Sequence, residues 1–131
     1  MALSRQALAE RVGRAGELLA MSKLEMAGHR CHHVVTVADD AWIKTETGRI
    51  LTLQIKSSNG IHFNGGRQYA FWTRSSPGVI RSDIYAFVAL NLGLVYFMKK
   101  SDKNLKKCNT RIHKDLFTAE NETKTMNKVL G

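Results

Sequence analysis

The stretch DDAWIKTETGRILTLQIK, Asp39 to Lys56, constrains the fold more than any other part of the chain. On either side of TGR, a turn signal, Ala41, Ile43, Thr45, Leu51, Leu53 and Ile55 alternate with Asp40, Trp42, Lys44, Glu46, Thr52, Gln54 and Lys56. Alternation at period two makes a β-hairpin with one apolar and one polar face. Centring the turn on Gly48 sets Asp40 opposite Lys56 and Trp42 opposite Gln54. A slip of one residue would put Ile43 beside Gln54 and mix the faces, so the buried face selects the register. The choice rests on a three-residue loop. A two-residue Thr47-Gly48 turn would bring Asp39 opposite Lys56 instead.

The polar face therefore gathers an aspartate, a glutamine and a lysine. Carboxylate and amide oxygens are hard ligands suited to Mg²⁺. A neighbouring lysine can orient or deprotonate a water, or neutralise developing negative charge. Phosphodiester hydrolysis needs such a set. The plain alternative is a cross-strand ion pair between Asp40 and Lys56, worth about 0.2–1 kcal/mol.

Around the hairpin, residues 3–27 read as a helix with Ser4 as N-cap and Gly28 as terminator. Leu8, Val12, Ala15, Leu19 and Met26 form its apolar stripe, and Gly13 is a candidate break. Residues 30–38 and 69–73 read as strands, with a glycine- and asparagine-rich loop over 58–67. DIYAFVAL and LVYFMKK, flanking NLG, are apolar on both faces and read as central, buried strands. From Ser101 the chain turns basic and then polar, which predicts a short helix or a loose tail, a C-terminal extension (101–131) beyond a domain over 1–100.

The 131 residues fit one domain with a real core, and 44% hydrophobic content excludes disorder over most of the length. No apolar run is long enough to span a bilayer and no signal peptide is evident, so a cytoplasmic protein is expected. Two cysteines, Cys31 and Cys108, make no disulfide framework. The formal net charge of +9 points to a polyanionic partner, above all nucleic acid. An RNA- or ribosome-binding accessory protein would share that charge.

The order of these pieces resembles the PD-(D/E)xK nuclease superfamily, in a branch with Gln before x-Lys. RAGELLAMSKLEMAGHRCHHV looks like its first helix, glycine and second strand. QIKSS, YAFWT and SDIYAFVALNLGLVYF are similar to the group I intron homing endonucleases of this fold; Holliday-junction resolvases share the core more distantly. The resemblance covers about residues 10–100. It implies an α/β, restriction-endonuclease-like core in which a mixed β-sheet is flanked by the N-terminal helix. It implies a Mg²⁺-dependent endodeoxyribonuclease, Mn²⁺ being a substitute, that leaves a 5′-phosphate. Asp40 is then the central metal ligand, Gln54 a neutral oxygen ligand, Lys56 the catalytic lysine, Glu17 the helix carboxylate and the Ile55 carbonyl a further ligand. VADD stands where the family has a Pro-Asp pair, and Gln54 lowers the charge of the site. A Holliday-junction resolvase and a non-catalytic nucleic-acid binder are the alternatives.

Glu17 has support of its own. On a continuous helix it lies beside Gly13, Ala20, Met21 and Leu24, where a carboxylate is either employed or simply exposed. Lys99, Lys100, Lys103, Lys106 and Lys107 cluster after the last strand, and Arg67, Arg74 and Arg81 lie in loops; all are candidate DNA contacts. Asp83 is expected to pair with an arginine, and Trp42 and Trp72 to pack. Cys31, His32, His33, Cys108 and His113 lack the spacing of a zinc site. One catalytic centre per chain makes a homodimer or higher oligomer the expectation for cutting both strands.

Overall fold

Ser4 opens helix α1 (Arg5–Met26): its hydroxyl accepts from the Ala7 N–H at 3.1 Å. This is a computed structural model, and it describes residues 3–34, 40–60, 65–73, 82–106 and 108–131. The helix runs unbroken through Gly13 and gives way at Ala27 to Gly28, which takes a positive φ of 95°. Its buried face is Gly16, Ala20 and Leu24, not the expected stripe: Leu8 and Met26 are exposed, and Leu19 is only partly covered. Small residues win because they let the helix backbone reach the sheet. A Cβ at Gly16 would sit 1.6 Å from the Ser57 hydroxyl.

The central sheet is five-stranded. Its strands are β1 (Arg30–His33), β2 (Ala41–Lys44), β3 (Ile50–Ser58), β5 (Ile84–Ala89) and β6 (Leu94–Lys99), in the order β1-β2-β3-β5-β6. Only the β3–β5 pair is parallel, so the sheet is mixed. Between β3 and β5 the chain lays down β4 (Gln68–Trp72), which pairs with β7 (Asn109–His113) in a separate two-stranded sheet.

The hairpin keeps its predicted faces but not its predicted register. Ala41 lies opposite Leu53 and Trp42 opposite Thr52, two residues from the expected pairing. The loop has three residues, Glu46-Thr47-Gly48, closed by Thr45 N–H to the Arg49 carbonyl at 2.9 Å. Gly48 takes its third position at φ 86°, the left-handed place such loops reserve for glycine, rather than the centre. A shift of two residues moves no side chain to the other face. The shift takes Asp40, which stands just before β2, out of its expected place opposite Lys56; Asp39 lies outside the described residues.

Two cores follow. On one face of the sheet Ala20 and Leu24 pack on Ala41, Ile43, Leu53, Ile55, Ala86 and Val88. On the other, Tyr69 and Phe71 of β4 and Ile112 of β7 cover Tyr85, Phe87 and Met98, with Phe71 and Phe87 ring centroids 5.0 Å apart.

The C-terminal segment takes part in both cores. After β7 and a 3-10 turn (Lys114–Leu116), helix α2 (Ala119–Leu130) buries Met126 and Val129 in the first core, while Leu105, Ile112 and Phe117 belong to the second. A helix is present there, but residues 101–131 are no detached extension. Strand β5 is central and wholly buried as expected. Strand β6 is instead a sheet edge, and α2 shields it: Val95 N–H donates to Glu122 Oε1 at 2.9 Å and Phe97 N–H to Thr125 Oγ1 at 3.1 Å.

Candidate active site

Asp40 stands where β2 parts from β3. Its N–H donates to the Leu53 carbonyl at 2.9 Å, and its carboxylate Oδ2 accepts from the Ile55 N–H at 2.7 Å. The side chain thus takes over the acceptor role of the strand it terminates. It interacts electrostatically with Lys56, the next residue along β3. A strand residue's N–H and C=O point to the same edge, so the Ile55 carbonyl also faces Asp40. Gln54 and Lys56, both half-buried, share the other side of β3 from Leu53 and Ile55.

The charges are coupled. Burial pushes the Asp40 carboxyl above the ordinary aspartate value and Glu17 adds to the rise; the Ile55 N–H, Lys56 and His33 oppose it. Burial draws the Lys56 ammonium below the ordinary lysine value, against the pull of Asp40. Shifts in these directions bring the carboxyl and the ammonium closer in proton affinity, which suits proton transfer.

Glu17 comes from α1 and is held by a pair that the sequence did not announce. Arg14 Nη1 donates to Glu17 Oε2 at 3.3 Å and lies 3.4 Å from His33 Nε2, and that nitrogen is 3.7 Å from Glu17 Oε2. The spacing of Arg14 and Glu17, one helical turn, was the available signal. His33 could be linked to them only by knowing how α1 lies across β1.

Asp40 and Glu17 are electrostatically coupled, and with the Gln54 amide and the Ile55 carbonyl they are the oxygen donors that could hold a hard divalent cation. Two carboxylates close enough to raise the Asp40 pKa, in a half-buried place, are what such an ion relieves. Among the described residues no three His, Cys, Asp or Glu side chains cluster to hold a metal, so a cation here would rely on the amide and the carbonyl. Cys31 takes no part; burial and then Glu25 push its thiol up to about 11.

The basic candidates are dispersed. Arg67, Lys99, Lys100, Lys103 and Lys106 are exposed; Arg74, Arg81 and Lys107 lie outside the described residues. Lys99 and Lys103 line a cavity of about 350 Å³ with Lys128, on the β6 side of the sheet and away from Asp40 at the mouth of β2. Lys106 Nζ is spent on the Lys103 carbonyl at 3.0 Å. Asp83 pairs with Lys100, not an arginine, at 3.6 Å. Burial would raise its carboxyl, but hydrogen bonds from Thr52 and the charge of Lys100 outweigh that and hold it low. Both tryptophans are exposed, Trp42 by 42% and Trp72 by 60%, against the expectation of packing. Each falls on the outward position of its strand.

The helix placement and mixed sheet are those of a homing-endonuclease fold. The solved structure of a bacterial homing endonuclease, I-Ssp6803I, superposes with a TM-score of 0.64 at 17% identity, over 77% of this chain and 72% of that one. No protein-family profile and no curated protein sequence matches the chain. No helix among the described residues is long and apolar enough to cross a membrane.

Proposed function

We propose that this protein is a metal-dependent endodeoxyribonuclease of the PD-(D/E)xK type, with Gln54 at the second acidic position, acting as a homing-endonuclease-like enzyme. The observation that carries the reading is the Asp40 carboxylate, anchored on the Ile55 N–H and electrostatically coupled to both Lys56 and Glu17. The fold it shares with a homing endonuclease supports the same reading.

In this reading Asp40, Gln54, Glu17 and the Ile55 carbonyl hold Mg²⁺ or Mn²⁺. When bound, the ion supplies Lewis-acid polarisation of the scissile phosphate and acidifies water. Lys56 orients the attacking water or neutralises charge that develops on the phosphate. Burial lowers its pKa, which makes it a readier proton donor than an ordinary lysine. The excess of cations draws the DNA in. Cutting both strands takes two copies of the chain, hence a homodimer or larger assembly.

The test is incubation of plasmid, linear duplex and four-way-junction DNA with Mg²⁺ or Mn²⁺. Duplex cleavage is expected, and Lys56→Ala should slow it by about 10²–10⁴ while leaving the melting curve intact. Full activity in that variant would remove the catalytic reading. Preference for the junction would make the enzyme a resolvase.

A further inference from the structure

Among the described residues, the outward positions of β1 and β2, on the face that carries Gln54 and Lys56, are open to solvent. Among the described residues, the small β4–β7 sheet packs its buried side chains on β5 and β6, and β4 also approaches β3. Reading across β1 to β3, His32 lies beside Trp42 and then Thr52, and Arg30 beside Lys44 and then Ile50. Arg30, His32, Trp42, Lys44 and Ile50 are all exposed, whereas Ala41 and Ile43, pointing the other way, are fully buried.

Resting on the nuclease reading above, we propose that this open face seats the backbone of the DNA duplex that enters the site. Charge complementarity picks the occupant. Arg30 and Lys44 are directly opposite each other, a pairing of like charges that costs folding energy, and a polyanion laid across them reverses the sign of that term. The even-numbered positions of β1, β2 and β3 carry no carboxylate, and Asp40 stands at the site just before β2. Glu46 lies beyond Lys44, in the hairpin turn. From Lys44 to Asp40 the strand advances about 13 Å, roughly four base steps of duplex. A backbone strand resting on Arg30 and Lys44 therefore leads over Trp42, whose exposed ring packs on sugar, to the carboxylate at the strand mouth.

The test uses the full chain and a fluorescently labelled mixed-sequence duplex in EDTA, so that nothing is cut. Binding is followed by anisotropy over a salt series. The double variant Arg30→Ala/Lys44→Ala should bind about tenfold more weakly, with a slope of log K against log salt shallower by about two. Trp42→Ala should weaken binding with the slope kept. Lys124→Ala, on α2, should match wild type, and melting temperatures should agree throughout. If the double variant keeps wild-type affinity and slope while wild type binds and cuts DNA, the face is not the duplex seat and the nuclease reading stands. If instead Trp42→Ala converts a dimer to a monomer with the salt slope unchanged, the face joins two copies of the chain and the proposal is overturned. Failure of wild type to bind DNA at any salt removes both readings.

Discussion

Asp40 is the residue on which the site turns, and its environment makes a claim about stability as well as chemistry. Burial and the neighbouring Glu17 carboxylate raise its pKa in the folded chain. The native state therefore holds that proton to a higher pH than the unfolded chain does. Without metal, stability must fall as pH rises from the ordinary aspartate range through the raised value, and then level off. Asp40→Asn removes the ionisation and keeps an oxygen for the Ile55 N–H. Metal-free thermal melts should show the variant matching wild type at low pH and melting about 1–4 °C higher at pH 7. Mg²⁺ should stabilise wild type and leave the variant unmoved. A variant less stable than wild type at pH 7 would mean that Asp40 is satisfied as an anion by Lys56 and His33, with no need of a cation.

At the scale of elements, the contact of α1 with β3 decides whether Glu17 reaches the site at all. Gly16 lies on Ser57, and an added Cβ would meet the Ser57 Oγ at 1.6 Å and its Cβ at 2.7 Å. Gly13, one turn earlier, has nothing within 4 Å. Alanine improves helix propensity equally at both places, by about 0.5–1 kcal/mol, so the difference between the two reports packing. Gly13→Ala should stabilise by about that amount, and Gly16→Ala should destabilise by about 1–3 kcal/mol in urea titrations. Gly16→Ala should also slow cleavage, because a lifted helix carries Glu17 and Arg14 away from Asp40. Ser57→Ala removes only the nearer of the two clashing atoms and should recover part of the loss. Equal effects at the two glycines would place the helix elsewhere. The same contact explains what could not be read in advance. The alternation in the hairpin is a local pattern, so the shared side of Gln54 and Lys56 was legible from it. The meeting of Arg14, Glu17 and His33 depends on how a glycine seats α1 on the sheet, and larger apolar residues on another stripe hid that seat.

Across the whole molecule, the C-terminal thirty residues resisted reading for a related reason. NTRIH carries only two inward side chains, Thr110 and Ile112, and acquires strand identity from β4, far back in the sequence. Helix α2 is polar because much of its work is to close a sheet edge rather than to fill a core. Glu122 Oε1 accepts from both the Val95 N–H at 2.9 Å and the Lys23 ammonium at 2.6 Å, linking β6, α2 and α1 at one atom. Thr125 takes the Phe97 N–H. An unshielded strand edge recruits other strands. Glu122→Ala leaves the Val95 N–H and Lys23 without their shared acceptor, a loss of about 1.5–3 kcal/mol and roughly 5–12 °C in melting temperature. Glu122→Gln, which keeps an acceptor but not the charge, should fall between. Adding Thr125→Val to Glu122→Ala bares a second edge donor, and light scattering should then show growing aggregates below the melting temperature. A double variant that melts lower but stays monodisperse would mean that the bulk of α2, through Met126 and Val129, guards the edge without its polar side chains.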